Sequence, residues 1–182
     1  IFIGGHGVWW SKNEVKLGLT GEILNVPIFN IPYHQKLLNE RCGAFMGLAD
    51  IHQYAPSKFA LHSSDCIIML GGKLDNQMNF GNPPLIPRQA TLICVNGSDE
   101  EINFNRSADE ILLSDPGAFL DALTENFVCS KWAIDKGWMN KNIEARETWV
   151  DTTLKHLDLE TDKKEWSGGI IHPLKLSLDV QA

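Results

Sequence analysis

Four short apolar runs constrain the fold of this chain more than any other feature of its sequence. They are continuous and do not alternate with polar residues. Continuous apolar strands are typical of parallel sheets that are covered on both faces. The runs are IFI at 1–3, PIFNI at 27–31, CIIML at 66–70 and ATLICV at 90–95, with a weaker fifth run, EILLS, at 110–114. The sequence therefore predicts five strands of a parallel sheet.

A helix is predicted after the first strand. Ser11 and Glu14 have the spacing of a capping box, in which the serine accepts a hydrogen bond from a backbone N–H and the glutamate reaches back. The helix should end near Asn25, because the residue before Pro27 is disfavoured in helical geometry.

Further helices are predicted between the later strands. Residues 44–62 favour one or two helices broken at Pro56, and Asp115-Pro116 should start another with proline at its first position. The order is then β-α-β-α-β-loop-β-short α-β-α, which indicates an α/β fold with a Rossmann-like doubly wound parallel sheet.

The segment that follows changes in character. Residues 129–157 combine dense charge with three tryptophans and favour a helical connector whose Trp132, Trp138 and Trp149 dock on neighbouring structure. Residues 158–169 are polar and favour an exposed linker.

Composition excludes several classes of function. The 182 residues are 43% hydrophobic, which is enough for a buried core, and 16 Lys+Arg against 23 Asp+Glu give a net charge of −7. The absence of a basic run argues against a nucleic acid or an anionic membrane as partner, so we expect a small molecule or a protein. No signal peptide and no apolar stretch of about 18 residues occurs, which favours a soluble, cytoplasmic protein.

The four cysteines favour neither a zinc site nor a redox pair, because they are widely spaced. Cys66 and Cys94 lie in apolar runs and are expected to be buried free thiols of a reducing compartment.

Four loops leave the carboxyl ends of the predicted strands, where open parallel sheets bind their ligands. They are Gly4-Gly5-His6-Gly7, Pro32-Tyr33-His34, Gly71-Gly72-Lys73 and Asn96-Gly97-Ser98-Asp99. Three carry glycine at the turn, which lets backbone N–H groups approach a phosphate, although glycine is also common at such turns for structural reasons. Lys73 could meet a phosphate or remain solvated.

Catalytic constellations are not found. None of the six histidines has an Asp or Ser at triad-like spacing, GxSxG does not occur, and no paired catalytic carboxylates stand out. His6 could touch a ligand, whereas His34, His52, His62 and His156 favour surface or packing positions. The acidic run Asp99–Glu101 is typical of the first turn of a helix.

Several dispersed motifs, in order, resemble the central domain of thiamine diphosphate-dependent enzymes of the acetolactate synthase, oxalyl-CoA decarboxylase and 2-hydroxyacyl-CoA lyase group. The segments are IFIGGHGV, NVPIFNI, SSDCIIMLGGKLDNQMNFGNPP and ATLICVNGSDEEINFNRSADEILLSDPGAFLDAL, and the resemblance covers residues 1–127. The positions that match the family pattern are Asp65 through Leu74, Phe80-Gly81, Glu101-Ile102, Asn105-Arg106, Asp109 and Ser114-Asp115.

The resemblance implies a DHS-like NAD/FAD-binding type of sheet and a division of the chain. Residues 1–127 would be the central domain, 128–169 the helical connector and linker, and 170–182 the start of the diphosphate-binding domain. Ile1 already lies in a predicted strand, so we expect a piece of a longer chain. The resemblance implies that thiamine diphosphate and Mg²⁺ lie between a pyrimidine-binding domain and a diphosphate-binding domain, both beyond this piece. The piece alone would then not be catalytic. The parent enzyme would be a homodimer or homotetramer.

The resemblance also implies a pocket for FAD, ADP or the ADP part of coenzyme A. The residues that would hold it are Gly4, Gly5, His6, Gly7, Gly71, Gly72, Lys73, Asn96, Gly97, Ser98, Ser114 and Asp115. Asn96 and Ser98 replace acidic residues of the nucleotide-binding members, and Lys73 replaces a frequent arginine. A purely structural domain is therefore an open alternative. A sirtuin-like deacylase is disfavoured, since the cysteines cannot form its zinc module and no suitable histidine motif occurs.

Overall fold

The computed structural model describes residues 1–32, 37–38, 41–50, 55–102, 104–130 and 135–161. In the last of these ranges, side chains are described only as far as residue 156. Six strands and six helices occur in this part of the chain. The strands are β1 (Phe2–Gly4), β2 (Ile28–Asn30), β3 (Phe45–Leu48), β4 (Cys66–Leu70), β5 (Thr91–Asn96) and β6 (Glu110–Leu113). The helices are α1 (His6–Trp10), α2 (Glu14–Leu24), α3 (Ala55–Ser63), α4 (Asp99–Ile102), α5 (Pro116–Ser130) and α6 (Lys136–Thr161), with a 3-10 turn at Asn76–Gly81.

The six strands form one parallel sheet in the order β3-β2-β1-β4-β5-β6. The strand order reverses between β1 and β4, which lie side by side at the centre with Phe2 opposite Ile68 and Gly4 opposite Leu70. Every residue of β1 and β2 is buried, as continuous apolar strands require. The predicted doubly wound Rossmann-like sheet is thus confirmed, and all five predicted strands are present.

The predicted capping box is wrong. Residues His6–Trp10 form the additional helix α1, and Ser11 lies at its carboxyl end, where Ser11 Oγ donates a hydrogen bond to the Gly7 carbonyl at 2.7 Å. Asn13 precedes α2, and Glu14 is its first residue, too early to reach back to a cap. The carboxyl end agrees with the prediction, since Asn25 ends α2 in the left-handed conformation before Pro27.

The prediction for residues 44–62 is wrong in its first part. Phe45–Leu48 is strand β3, held against β2 by backbone hydrogen bonds from Ile28 N–H to Ala44 O and from Ala49 N–H to Asn30 O. Pairing with β2 overrides the local helical tendency of this short apolar segment. Pro56 lies in the first turn of α3 and does not break a helix, because a first-turn N–H needs no helical partner.

Helix α5 begins as predicted. Pro116 is its first residue, and Asp115 Oδ1 accepts hydrogen bonds from the N–H groups of Gly117 and Ala118 at 2.8 and 3.1 Å. This arrangement is an N-cap followed by proline at the first helical position.

Helix α6 packs on α3 and on the sheet edge at β3. The rings of Trp138 and Phe59 lie 5.9 Å apart, and Arg146 Nη1 donates a hydrogen bond to the carbonyl of Phe45 at 2.7 Å. Trp149 is half-buried, whereas Trp132 lies outside the described residues. The helix continues to Thr161, into the segment predicted as a linker; residues 162–182, including the predicted start of the next domain, are not among those described.

The two edges of the sheet differ. Arg146 of α6 covers the backbone of β3, whereas all four residues of β6 are exposed, including Ile111, Leu112 and Leu113. Within the described ranges, no strand pairs with the outer edge of β6.

No helix in the described part of the chain is both long enough and apolar enough to span a bilayer, and α6 is rich in charged residues.

Candidate functional site

The glycine turns that follow β1 and β4 lie against each other where the strand order reverses. Gly5 N–H donates to Leu70 O at 2.9 Å, and Gly7 N–H donates to Gly71 O at 2.7 Å. Gly71 N–H in turn donates to Val95 O at 2.7 Å. The backbones of three neighbouring strands are thereby joined at their carboxyl ends, and three of the turns' N–H groups are already used.

Close contact between the two turns explains why glycine occurs there. A Cβ atom on Gly5 would lie 2.5 Å from Gly72 Cα, and one on Gly7 would lie 2.7 Å from Gly71 Cα. Gly71 also has a φ of +60°, in the left-handed region that favours glycine. Gly97, in the turn after β5, has no atom within 4 Å of such a Cβ. Backbone packing therefore accounts for Gly5, Gly7 and Gly71 but not for Gly97.

A cleft of about 220 Å³ opens beside these turns. Its lining residues are His6, Ile31, Gly71, Gly72, Lys73, Asp75, Gln77 and Glu101. Four of the predicted ligand-binding residues thus line it: His6, Gly71, Gly72 and Lys73. Gly4, Gly5 and Gly7 support the turn without lining the cleft. Of the loop Pro32-Tyr33-His34, only Pro32 belongs to the described residues.

The buried side chain of Asn96 connects the β5 turn to the β4 turn. Its Nδ2 donates to Gly72 O at 3.2 Å and to Glu101 Oε2 at 3.4 Å, and its Oδ1 accepts from the N–H of Ser98 at 3.0 Å. An aspartate here could not donate to the Gly72 carbonyl, so the amide has a structural use of its own. Asn96 and Ser98 are therefore not among the residues that line the cleft, and Asn96 instead joins the turns beside it.

Sequence reasoning missed Glu101, Asp75 and Gln77. The prediction that Asp99–Glu101 starts a helix is confirmed by α4, but Glu101 also turns back to the cleft, with Oε1 3.7 Å from Lys73 Nζ. Asp75 and Gln77 lie within four residues after Lys73 of the Gly71-Gly72-Lys73 turn, a signal that could have drawn attention to them. Asp75 Oδ1 accepts from the Gln77 N–H at 2.9 Å.

Ser114 and Asp115 do not line this cleft. Ser114 N–H donates to Asn96 O at 3.0 Å, and Asp115 caps α5. The two residues lie at the end of β6, beyond β5 in the sheet, and are used in joining the strand to the helix.

The family-pattern residues after the cleft hold its outer loop in place. Asn105 Nδ2 donates to Leu74 O at 2.6 Å, and Arg106 Nη1 donates to Gly81 O at 3.0 Å and to Ile86 O at 3.1 Å. Gly81 has a φ of +75° and would place a Cβ 2.8 Å from Arg106 Cβ. The matching Phe80-Gly81 and Asn105-Arg106 pairs are therefore two sides of one packed loop.

The cysteines carry no site in the described structure. All four are free, Cys94 is buried, and burial raises the pKa of its thiol to about 11 despite the opposing charge of Arg106. Cys66 is only half-buried, and loss of water likewise raises the pKa of its thiol. Among the described residues, no group of three His, Cys, Asp or Glu side chains could hold a metal ion.

Comparison with known families gives a match over the whole sheet. The model of the thiamine pyrophosphate enzyme central domain matches residues 1–123, which is more than half of the chain and includes β1 to β6. The chain belongs to this family. Thiamine pyrophosphate is another name for thiamine diphosphate, so the resemblance read from the dispersed motifs is confirmed.

A solved structure supports the fold assignment of this central domain. The thiamine diphosphate-dependent 4-hydroxybenzoylformate decarboxylase of Rhodococcus jostii RHA1 matches 69% of the chain with a TM-score of 0.57 and 20% sequence identity. The matched part is 24% of that enzyme, so the chain spans about a quarter of its length. No curated protein sequence matches the chain.

Proposed function

We propose that the chain is the central domain of a thiamine diphosphate- and Mg²⁺-dependent lyase, decarboxylase or carboligase (a transferase) that acts on 2-keto acids or 2-hydroxyacyl-CoA. The observation that carries this proposal is the family match over residues 1–123. In this role the domain is a scaffold that positions flanking pyrimidine- and diphosphate-binding domains. The proposed parent is a cytoplasmic homodimer or homotetramer.

The described residues do not fit the cofactor site itself. Mg²⁺ is held by several oxygen ligands, and no group of three candidate ligand side chains occurs among the described residues. The proposal therefore assigns the thiamine diphosphate site to the flanking domains and gives no catalytic step to this chain. The sirtuin-like alternative gains no support, because its zinc module would need such a group.

A comparison of two proteins tests this role. The 182-residue chain and the protein encoded by its complete reading frame are each titrated with thiamine diphosphate and Mg²⁺ in a calorimeter and assayed with 2-keto acids and 2-hydroxyacyl-CoA. We expect cofactor binding and C–C bond cleavage or formation only for the complete protein. Turnover by the 182-residue chain alone, or no cofactor binding by the complete protein, would contradict the proposal.

A second candidate function is ligand binding in the cleft, with FAD, ADP or the ADP part of coenzyme A as the predicted ligands. The position of the cleft at the switch point of the sheet, with Lys73 in its lining, favours this function. Calorimetry of the chain with each ligand tests it. If no heat of binding is measured at millimolar ligand, the ligand-binding function is contradicted and the cleft is only a structural feature of the scaffold.

A further inference from the structure

Helix α2 is apolar on two faces. Its inner face, which includes Leu17 and Gly21, is buried in the domain. Its outer face carries Val15, Leu19 and Ile23, which are 75%, 54% and 44% exposed. These three residues follow one another at intervals of four and form one stripe along the helix, here called the outer stripe. A helix that is apolar all round is normally buried, so the outer stripe indicates a surface that another molecule covers.

A groove lies beside the outer stripe. It has a volume of about 390 Å³, and its lining includes Val15 and Leu19 of the stripe together with Gly18, Leu37 and Leu38. A Cβ atom on Gly18 would lie 3.4 Å from Leu38 Cδ2, so a side chain there would fill part of this space. The groove is therefore apolar and is kept open by a glycine.

The outer stripe and the groove together form a self-complementary surface. Side chains spaced by four residues form the ridges that enter grooves when two helices pack. In a two-fold pairing each copy uses the same patch, so that patch must supply both a ridge and a groove. The face of α2 supplies both, because the stripe and the groove share Val15 and Leu19. A second copy of the chain therefore fits this face.

The exposed apolar area is large enough for a specific contact. Trp10, the last residue of α1, is 73% exposed, and its ring lies 4.8 Å from that of Trp9, which is 42% exposed. With the outer stripe, these side chains expose on the order of 500 Å² of apolar surface, a size at which patches often mark a binding surface. Two copies would thus bury about 1,000 Å² through these side chains alone, which reaches the lower limit of a specific interface.

Charge does not prevent this contact. The charged residues that line the groove are Glu14, Glu22 and Arg41, so both signs are present. The net charge of −7 acts between whole molecules, and salt screens such long-range repulsion. Association through an apolar face should therefore strengthen when the salt concentration is raised.

We propose that α2 is a self-association surface, in which the outer stripe of each copy packs into the groove of a second copy. The two-fold axis passes near Leu19, the middle residue of the stripe, and places Leu19 of one copy beside Leu19 of the other. The inference rests on the proposed function only in that it gives the homo-oligomeric parent a contact surface. It requires no cofactor and no catalytic step.

Sedimentation equilibrium of the 182-residue chain between about 1 and about 200 µM tests the proposal, since small interfaces bind weakly. We expect the average mass to rise from 20.4 kDa toward twice that value, and to rise more steeply at higher salt. A chain that stays monomeric throughout would overturn the proposal and leave this face to a flanking domain of the parent.

Variants at Leu19 locate the contact. Leu19→Ala should weaken association about tenfold, and Leu19→Glu should abolish it, because a carboxylate would be buried in an apolar contact. Val128→Glu is the matched control, since Val128 is 67% exposed on α5 and does not line the groove. Association that survives Leu19→Glu, or that Val128→Glu abolishes, would overturn the proposal.

Mixing two charged variants tests the symmetry of the contact. Leu19→Glu and Leu19→Lys should each be monomeric alone, whereas an equimolar mixture should form a dimer, because opposite charges then meet at the axis. Urea denaturation at about 1 µM should give both variants the stability of the unmodified chain, since Leu19 is half exposed. No dimer in the mixture of two folded variants would overturn the two-fold arrangement. Cofactor binding by the complete protein is measured separately, so either proposal can fail without the other.

Discussion

Gly5 shows how one residue can be constrained by backbone contact. The position that its Cβ would occupy lies 2.5 Å from Gly72 Cα and 2.7 Å from Gly71 O, and neither is a flexible side-chain atom that can move aside. The N–H of Gly5 is bonded to the Leu70 carbonyl on the neighbouring strand. A side chain at this position must therefore push two central strands apart.

We expect Gly5→Ala to lower the free energy of unfolding by about 1–3 kcal/mol, the usual cost of overpacking a closely packed site. Gly97→Ala is the control, because open space surrounds that position, and its effect should stay within about 0.5 kcal/mol. Urea denaturation of both variants measures the difference. Equal stability of the two variants would show that the glycine turns do not need their close contact.

Helix α6 protects one edge of the sheet. A parallel edge strand exposes unpaired carbonyl groups, and Arg146 Nη1 occupies that of Phe45 from 101 residues away in sequence. The Trp138–Phe59 contact and the buried Met139 fix the same helix against the rest of the domain. The contact that covers the outer edge of β3 therefore comes from a helix that lies outside the region matched by the family model.

Arg146→Met should destabilise this edge. It removes a charge-assisted hydrogen bond to a backbone carbonyl while keeping an unbranched side chain of moderate length, and the expected loss is about 1–2 kcal/mol. Lys141→Met on the exposed side of α6 is the control, with an expected change within about 0.5 kcal/mol. Denaturation measures the loss, and faster amide exchange in residues 45–48 locates it. Unchanged exchange in β3 would refute the protective contact.

The sequence predicted secondary structure correctly where the local pattern of apolar residues matches the strand that forms. It failed where contacts between residues distant in sequence determine the conformation. Continuous apolar character located β1, β2, β4, β5 and the weaker β6. FMGL at 45–48 was missed because its strand geometry depends on pairing with β2, and α1 was missed because five residues give too short a periodic pattern. Ser11 matched a capping box by spacing alone, whereas its hydroxyl donates a hydrogen bond to the carbonyl of Gly7, which precedes it in the chain.

The candidate site was predictable in its position but not in its chemistry. Glycine after the strands pointed to the carboxyl ends of the sheet, and a cleft lies at that position. The polarity of the cleft depends on the direction in which Glu101 turns and on which N–H groups the neighbouring turn consumes. Neither can be read from residue spacing, because both result from the contact between loops that leave different strands.

The stability of the isolated 182-residue polypeptide should depend on whether the amino group of Ile1 is charged. Ile1 N donates to Cys66 O at 2.8 Å, and burial lowers the pKa of this amino group from its ordinary value of 8.0, although Cys66 and Asp65 oppose the shift. Between the lowered pKa and pH 8 the unfolded chain binds more protons than the folded chain. The free energy of unfolding should therefore rise with pH through this window and reach its full gain above pH 8.

Urea denaturation between about pH 6 and pH 8 measures this rise. A chain extended by two residues at its amino terminus is the control, because the extension moves the charge away from Cys66. The extended chain should show a smaller slope of stability against pH. The same slope in both chains would assign the rise to other groups.

The seam between the two glycine turns has a consequence for how the domain folds. It joins two parts of the chain that are distant in sequence, and main-chain atoms make the contact without interlocking side chains. Such non-local pairings incur their loop-closure entropy before they contribute stability. The contact between the turns therefore adds to the β1–β4 pairing only when parts of the chain about 65 residues apart have come together.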